Sequence, residues 1–174
     1  MTKKARPRDQ VRLACAVLGA LSALVLPAGD AHAAQAGVNF GVNIYYNNLC
    51  SIVLQENGTL APNGDNTLLS SKQPGGAPGK ARVTSFGAYD LTVDEVSFFL
   101  SDPGNMSLGS TFVARFSGQA VNNRGRTFAE RDGGNAMRLR TGYSITDVTV
   151  NLDVTRPNGF AAGDYTALTI VRCE

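Results

Sequence analysis

A period of two is the feature that most constrains this chain. Val148, Val150, Leu152 and Val154 alternate with Thr149, Asn151, Asp153 and Thr155. Successive side chains of a strand point to opposite faces, so this spacing separates apolar from polar residues only in extended backbone. The same alternation runs through Val38, Phe40, Val42, Ile44 and Tyr46 and continues in Cys50-x-Ile52-x-Leu54. Residues 83–86 and Tyr89-x-Leu91-x-Val93 predict two strands around Gly87, and Val96-x-Phe98-x-Leu100 a further short one. Residues 108–116, with Phe112-x-Ala114-x-Phe116, and the Thr-, Ile- and Val-rich stretch 165–172 complete the set. Asn57-Gly58, Asn63-Gly64, Pro74-Gly75-Gly76, Asp102-Pro103-Gly104-Asn105, Asp132-Gly133-Gly134 and Pro157-Asn158-Gly159 punctuate the strands as turns. No long window carries an apolar period of 3.6. The expectation is an all-β, antiparallel β-sandwich of about seven strands, immunoglobulin-like in the broad sense, with a closed barrel as the alternative.

The first 33 residues have a different character. Lys3, Lys4, Arg6, Arg8 and Arg12 form a basic head, residues 13–28 an apolar run, and Ala31-His32-Ala33 a small-x-small end. This is the layout of a cleaved secretory signal peptide. The apolar run is shorter than the roughly 20 residues that span a membrane, and Pro27 and Gly29 interrupt its end. The mature chain, residues 34–174, is of a length suited to one domain. Its expected location is the periplasm, the cell surface or the medium, with no integral membrane segment. Removing five of 16 basic and two of 14 acidic residues leaves 11 against 12. Nothing in that balance favours nucleic acid.

The sole histidine, His32, leaves with the leader. Without it the chain has no Ser-His-Asp or Cys-His catalysis, no histidine-bound metal and little general-base chemistry near neutrality. The chain therefore reads as a non-enzyme without cofactor or metal. Cys50 and Cys173 remain, and one disulfide is their simplest fate in an exported protein. A clasp closing about 120 residues stabilises by roughly 4–5 kcal/mol in the chain-entropy account.

Three clusters bear on chemistry. Asp94-Glu95 and Glu130…Asp132 are acid pairs; Asp94 and Glu95, as adjacent strand residues, face opposite ways, and solvated surface roles are the reading for these acids. Asn63-Gly64-Asp65-Asn66-Thr67 has oxygen donors in a turn but lacks the alternating frame and distal Glu of a calcium loop. Residues 115–140 hold Arg115, Arg124, Arg126, Arg131, Arg138 and Arg140 against Glu130 and Asp132, and no lysine. Arginine without lysine suits bidentate recognition of phosphate or carboxylate. The same stretch also reads as a polar inter-strand loop kept soluble by charge. Phe128 is its single aromatic between Phe116 and Tyr143, so the stacking ladder of a single-strand nucleic-acid binder is missing. Asn57-Gly58-Thr59 and Asn105-Met106-Ser107 match the glycosylation acceptor pattern and are read as turns.

The strand at 38–46 has one apolar face to cover. It either completes its own sheet or lies along the edge of another subunit, giving alternate side chains to pockets there. With the leader, the first cysteine, the Asn57-Gly58-Thr59-Leu60 and 74–79 turns, and the closing Ala162-Gly163-Asp164-Tyr165-Thr166-Ala167, it gives an order that resembles three groups. These are the secreted bacterial spore-coat-U-like proteins, subunits of the related archaic chaperone–usher pili, and exported bacterial sandwiches without assigned function. The pilus likeness implies an incomplete immunoglobulin-like fold, with Val38, Phe40, Val42, Ile44 and Tyr46 as donor side chains. It also implies partners: further copies of the chain or a related surface subunit, and a periplasmic chaperone. In that group the first cysteine pairs within the first half of the domain, whereas here its partner is Cys173. A bond there ties down the last strand and favours a self-contained domain. Two functions follow: a structural or surface-associated subunit assembling through 38–46, or a monomeric module binding anionic glycans or surface polymers through Arg124, Arg126, Arg131, Arg138 and Arg140.

Overall fold

The computed structural model describes the backbone of residues 36–41 together with residues 49–174. The expected leader and the positions Val42, Ile44 and Tyr46 lie outside the described residues. The strands are β1 (Ala36–Gly41), β2 (Cys50–Glu56), β3 (Gly58–Pro62), β4 (Leu68–Ser70), β5 (Gly79–Ser85), β6 (Asp90–Val93), β7 (Thr111–Ala120), β8 (Phe128–Asp132), β9 (Met137–Arg138), β10 (Ser144–Thr155) and β11 (Tyr165–Cys173). There is no helix among the described residues, and hence none long and apolar enough to cross a membrane. The described residues are all-β, and among them every strand pair but β1–β11 is antiparallel.

β10 organises the structure. Its 12 residues pair with β7 along one edge, from Thr146↔Ala120 to Thr155↔Thr111. The opposite edge is shared: β5 takes Ser144 to Val150, and β4 takes Asp153 to Thr155. Val148, Val150, Leu152 and Val154 are each no more than 2% exposed, as their alternation requires. Each buried side chain of this kind contributes about 1.5–3 kcal/mol. β2 adds to β5 and β8 to β7, while β4 leads through β3, β1 and β11 to β6 and β9.

β11 alternates as β10 does, with Tyr165, Ala167, Thr169, Val171 and Cys173 buried. One hydrophobic cluster joins Ile52 of β2, Leu60 of β3, Val83 of β5, Leu91 of β6, Phe116 of β7, Leu152 of β10 and Val171 of β11. β2 and β11 are not hydrogen-bonded neighbours, yet the Cys50–Cys173 disulfide links them across 123 residues with Cα atoms 6.4 Å apart. The expected clasp is present.

β1 lies between β3 and β11. It runs parallel to β11, from Ala36↔Tyr165 to Gly41↔Ile170, and antiparallel to β3. Val38 is in register with Ala167 and Phe40 with Thr169. The β11 edge is paired along all six residues and the β3 edge along Ala36, Gly37 and Val38.

The structure departs from expectation in several places. Eleven strands appear among the described residues rather than about seven, because β3, β4, β8 and β9 have 5, 3, 5 and 2 residues and are too short or too irregular in burial to show a period of two. Asn57-Gly58 is not a turn: β2 ends at Glu56 and β3 begins at Gly58, carrying the chain from the side of β5 to that of β1 and β4. Glycine is required there because a Cβ would stand 2.9 Å from Gly79 N. Residues 96–100 form no strand. Asp94 N donates to Ile170 O at 2.8 Å and Leu100 N to Thr166 O at 2.7 Å, and the chain between them leaves the edge of β11. Val96 and Phe99 turn inward while Phe98 and Leu100 stay exposed, a spacing of three instead of two. Phe99 meets Phe112 and Tyr165 with ring centroids 4.9 and 5.0 Å apart. β7 starts at Thr111, leaving Leu108 exposed in a turn. The other expected turns are where the glycines, prolines and asparagines put them.

Candidate arginine cleft

The stretch 115–140 is not one loop but a hairpin and its exits. β7 and β8 pair from Arg115↔Asp132 to Gly118↔Phe128, and β9 follows after the Gly133-Gly134 turn. The arginines divide accordingly. Arg115 sits on the sheet, with Nε 3.1 Å from Asp132 and Nη1 2.8 Å from Asp153. Arg131 stacks over Phe128, 5.8 Å from the ring centroid, and its Nη1 donates to Ala136 O at 2.6 Å. Both are committed to structure.

The remaining four converge. Arg124 and Arg126, from the β7–β8 connection, line one open cleft of about 560 Å³ together with Arg138 of β9 and Arg140 just beyond it. Ala88 from the β5–β6 connection, Asn123 beside Arg124, Leu139 between the two later arginines and Thr141 before β10 line it too. Three connections thus meet at one end of the strands.

Local interactions fix this end. Asn122 Oδ1 accepts from Gly125 N at 2.7 Å and from Ile145 N at 3.1 Å, and Asn122 Nδ2 donates to Tyr143 O at 3.1 Å. One side chain therefore clamps the β7–β8 connection to the start of β10. Arg126 N donates to Thr146 Oγ1 at 2.9 Å. Arg124 Nη1 donates to Thr141 O at 3.3 Å, and Gly142, at φ 89°, leaves room for it: a Cβ there would come 3.1 Å from Nη1. Met137, Arg138, Leu139 and Arg140 alternate buried and exposed, and Leu139 N donates to Tyr89 O at 2.7 Å. That alternation turns Arg138 and Arg140 outward together.

The charge here is unbalanced. Arg138 pairs with Asp90 at 3.1 Å, and Glu174 lies beyond Asp90, bonded to it through the backbone. Among the described residues, no carboxylate pairs with Arg124, Arg126 or Arg140. The acids of the stretch are used elsewhere. Glu130 accepts from Lys72 Nζ at 2.7 Å and from Asn151 Nδ2 at 2.9 Å. Its burial would raise its pKa, but those two donors hold it below the ordinary glutamate value.

The other clusters have structural occupations. Asp94 accepts two hydrogen bonds from Arg172, at 2.8 and 2.7 Å, and so forms no carboxylate pair with Glu95. Asp65 accepts from Thr67 Oγ1 at 2.7 Å and Thr67 N at 3.3 Å, which lower its pKa. Asn63 Oδ1 accepts from Leu68 N at 3.0 Å. The oxygens of this turn are spent on closing it, and no group of three or more metal-binding side chains gathers among the described residues. Sequence reading missed Asn122, Thr141 and Ala88, which position or line the cleft. Asn122-Asn123 ahead of Gly125 was the available signal, since Asn side chains commonly bond nearby backbone in turns.

Neither a protein-family model nor a curated protein matches the chain.

Proposed function

We propose that this protein is an exported, non-enzymatic, immunoglobulin-like β-sandwich that binds an extracellular polyanion in its arginine cleft. One observation carries the reading: Arg124, Arg126, Arg138 and Arg140, from separate connections, line a single concave site with one ion-paired carboxylate among them. Guanidinium groups recognise carboxylate, sulfate and phosphate through forked hydrogen bonds, and a concave basic site strengthens the field seen by an anion. The sandwich reading draws on the single core fed from both ends of the strand path and on the disulfide between unpaired strands. Tyr165 Oη donates to Ala161 O at 2.7 Å, similar to the tyrosine corner of immunoglobulin-like domains.

A structural subunit assembling through 38–46 is the weaker reading. Val38 is in register with strands on both sides and Phe40 with β11, all within the chain, and Cys50–Cys173 anchors β11. Donating 38–46 to a neighbour would require β1 to leave that place.

The test is retention of the leader-free protein on an immobilised polyanion, with light scattering of the same sample. A monomer retained at low salt and released as salt screens the arginines is the expected result. R124Q/R126Q/R138Q/R140Q should weaken binding at least tenfold, the equivalent of about 1.4 kcal/mol. Retention unchanged in that variant overturns the reading. High-mass species that vanish when residues 34–47 are deleted would restore the assembling subunit.

A further inference from the structure

Next to the cleft stand two aromatic side chains that neither the core nor the arginines explain. Phe86 is 54% exposed and Tyr143 48%, and their ring centroids lie 4.9 Å apart at 36°. Large apolar groups left together in water commonly mark a contact surface. Phe86 is two residues from Ala88, and Tyr143 two residues from Thr141, both of which line the cleft. Two residues of backbone span at most about 7 Å, so the aromatic pair borders the cleft on two of its three connections. The platform is held in place: Phe86 N donates to Leu49 O at 2.8 Å, and Tyr143 O accepts from Asn122 Nδ2.

We infer that the polyanion is an acidic polysaccharide, with a sugar ring seated on Phe86 and Tyr143 while the acidic group of an adjacent ring enters the arginine cleft. The inference rests on the polyanion reading and narrows it. A pyranose ring presents a face of C–H bonds to the electron-rich face of an aromatic ring, and its hydroxyls can meet the Tyr143 phenol. Acidic polysaccharides carry anions on sugar rings that also have apolar faces, so neighbouring units of one chain supply both features. Polyphosphate has anions without rings. Single-stranded nucleic acid needs separate faces for successive bases, whereas these two rings pack on each other. A mature balance of 11 basic to 12 acidic residues also lacks the overall charge of a nucleic-acid binder.

The experiment titrates leader-free protein with polygalacturonate, inorganic polyphosphate, oligo-dT and neutral dextran, with melting curves as a folding control. F86A/Y143A should weaken polygalacturonate binding at least tenfold and change polyphosphate binding less than twofold. The milder F86L/Y143L, which keeps apolar bulk but removes both rings, should fall short of wild type on polygalacturonate alone. R124Q/R126Q/R138Q/R140Q should lose both anions. If the aromatic variants lower both anions equally, or neither, or act on oligo-dT instead, the saccharide inference fails and the polyanion reading survives. If the arginine variant binds as wild type does, the polyanion reading itself fails.

Discussion

The arginines on the sheets and the arginines at the loop end behave differently, and the contrast separates structure from availability. Arg82 meets Asp147 with two hydrogen bonds of 2.7 and 2.9 Å, Arg172 meets Asp94 likewise, and Arg115 bridges Asp132 and Asp153. Two of these pairings lie on registered strands, β5 with β10 and β7 with β8, where Arg82↔Asp147 and Arg115↔Asp132 are direct cross-strand partners. Such pairs help to hold register. Arg124, Arg126 and Arg140 have irregular backbone instead, and the register supplies no carboxylate opposite them. An arginine in a ladder has its partner chosen by the sheet; Arg124, Arg126 and Arg140, at strand exits, have no ion-paired carboxylate among the described residues.

Four perturbations break or sharpen the contrast. The largest effect belongs to the frame: C50A/C173A should lose about 2–5 kcal/mol of stability, seen as a large fall in the denaturation midpoint. Leu152→Ala, beneath the paired arginines, should cost about 2–5 kcal/mol, with no change in cleft affinity for the fraction still folded. Asp94→Ala should cost less, about 0.5–1 kcal/mol, because the Asp94 and Arg172 side chains are about one-third exposed. The cleft variant R124Q/R126Q/R138Q/R140Q should lose polyanion binding yet move the midpoint by less than about 0.5 kcal/mol. A fall as large as that of D94A would mean that the loop-end arginines are structural too.

Acid supplies the mildest and most general comparison. Hydrogen bonds from Arg82 lower the Asp147 pKa. Burial pushes Asp102 upward, but Met106 N and the Ser107 hydroxyl and N, donating to its carboxylate, bring it below the ordinary value. A carboxylate lowered by folding adds stability that is present above the unfolded value of ~3.9 and disappears as pH falls through the folded one. Thermal midpoints should therefore be nearly level from about pH 5 to 8 and fall below about pH 4. Asp147→Asn should flatten part of that acid limb, and a cleft variant should leave it unchanged.

Much of the frame was legible in advance. Alternation at 148–154 located β10, and its buried members are those the pattern marks; the Thr-, Ile- and Val-rich composition of 165–172 located β11 but not its faces, since Thr169 is buried while Leu168 and Ile170 are only partly so. The two cysteines named their own bond. Residues 96–100 misled because alternation over five residues is also what an irregular segment can show by chance, and β11 takes hydrogen bonds only from its ends. Composition also marked 115–140 as basic, but it could not divide the six arginines.

What the sequence determined by itself is whatever depends on near neighbours in the chain: extended backbone, the faces of its longest strand and most of its turns. What only the tertiary structure decided is which distant residues meet. Arg115 was withdrawn by acids on two neighbouring strands, Asp132 of β8 and Asp153 of β10. Arg124 and Arg140 were brought to one cleft because the β7–β8 and β9–β10 connections leave the sheet at the same end. Strand periodicity fixes the direction of a side chain, but only pairing across the sheet fixes its company.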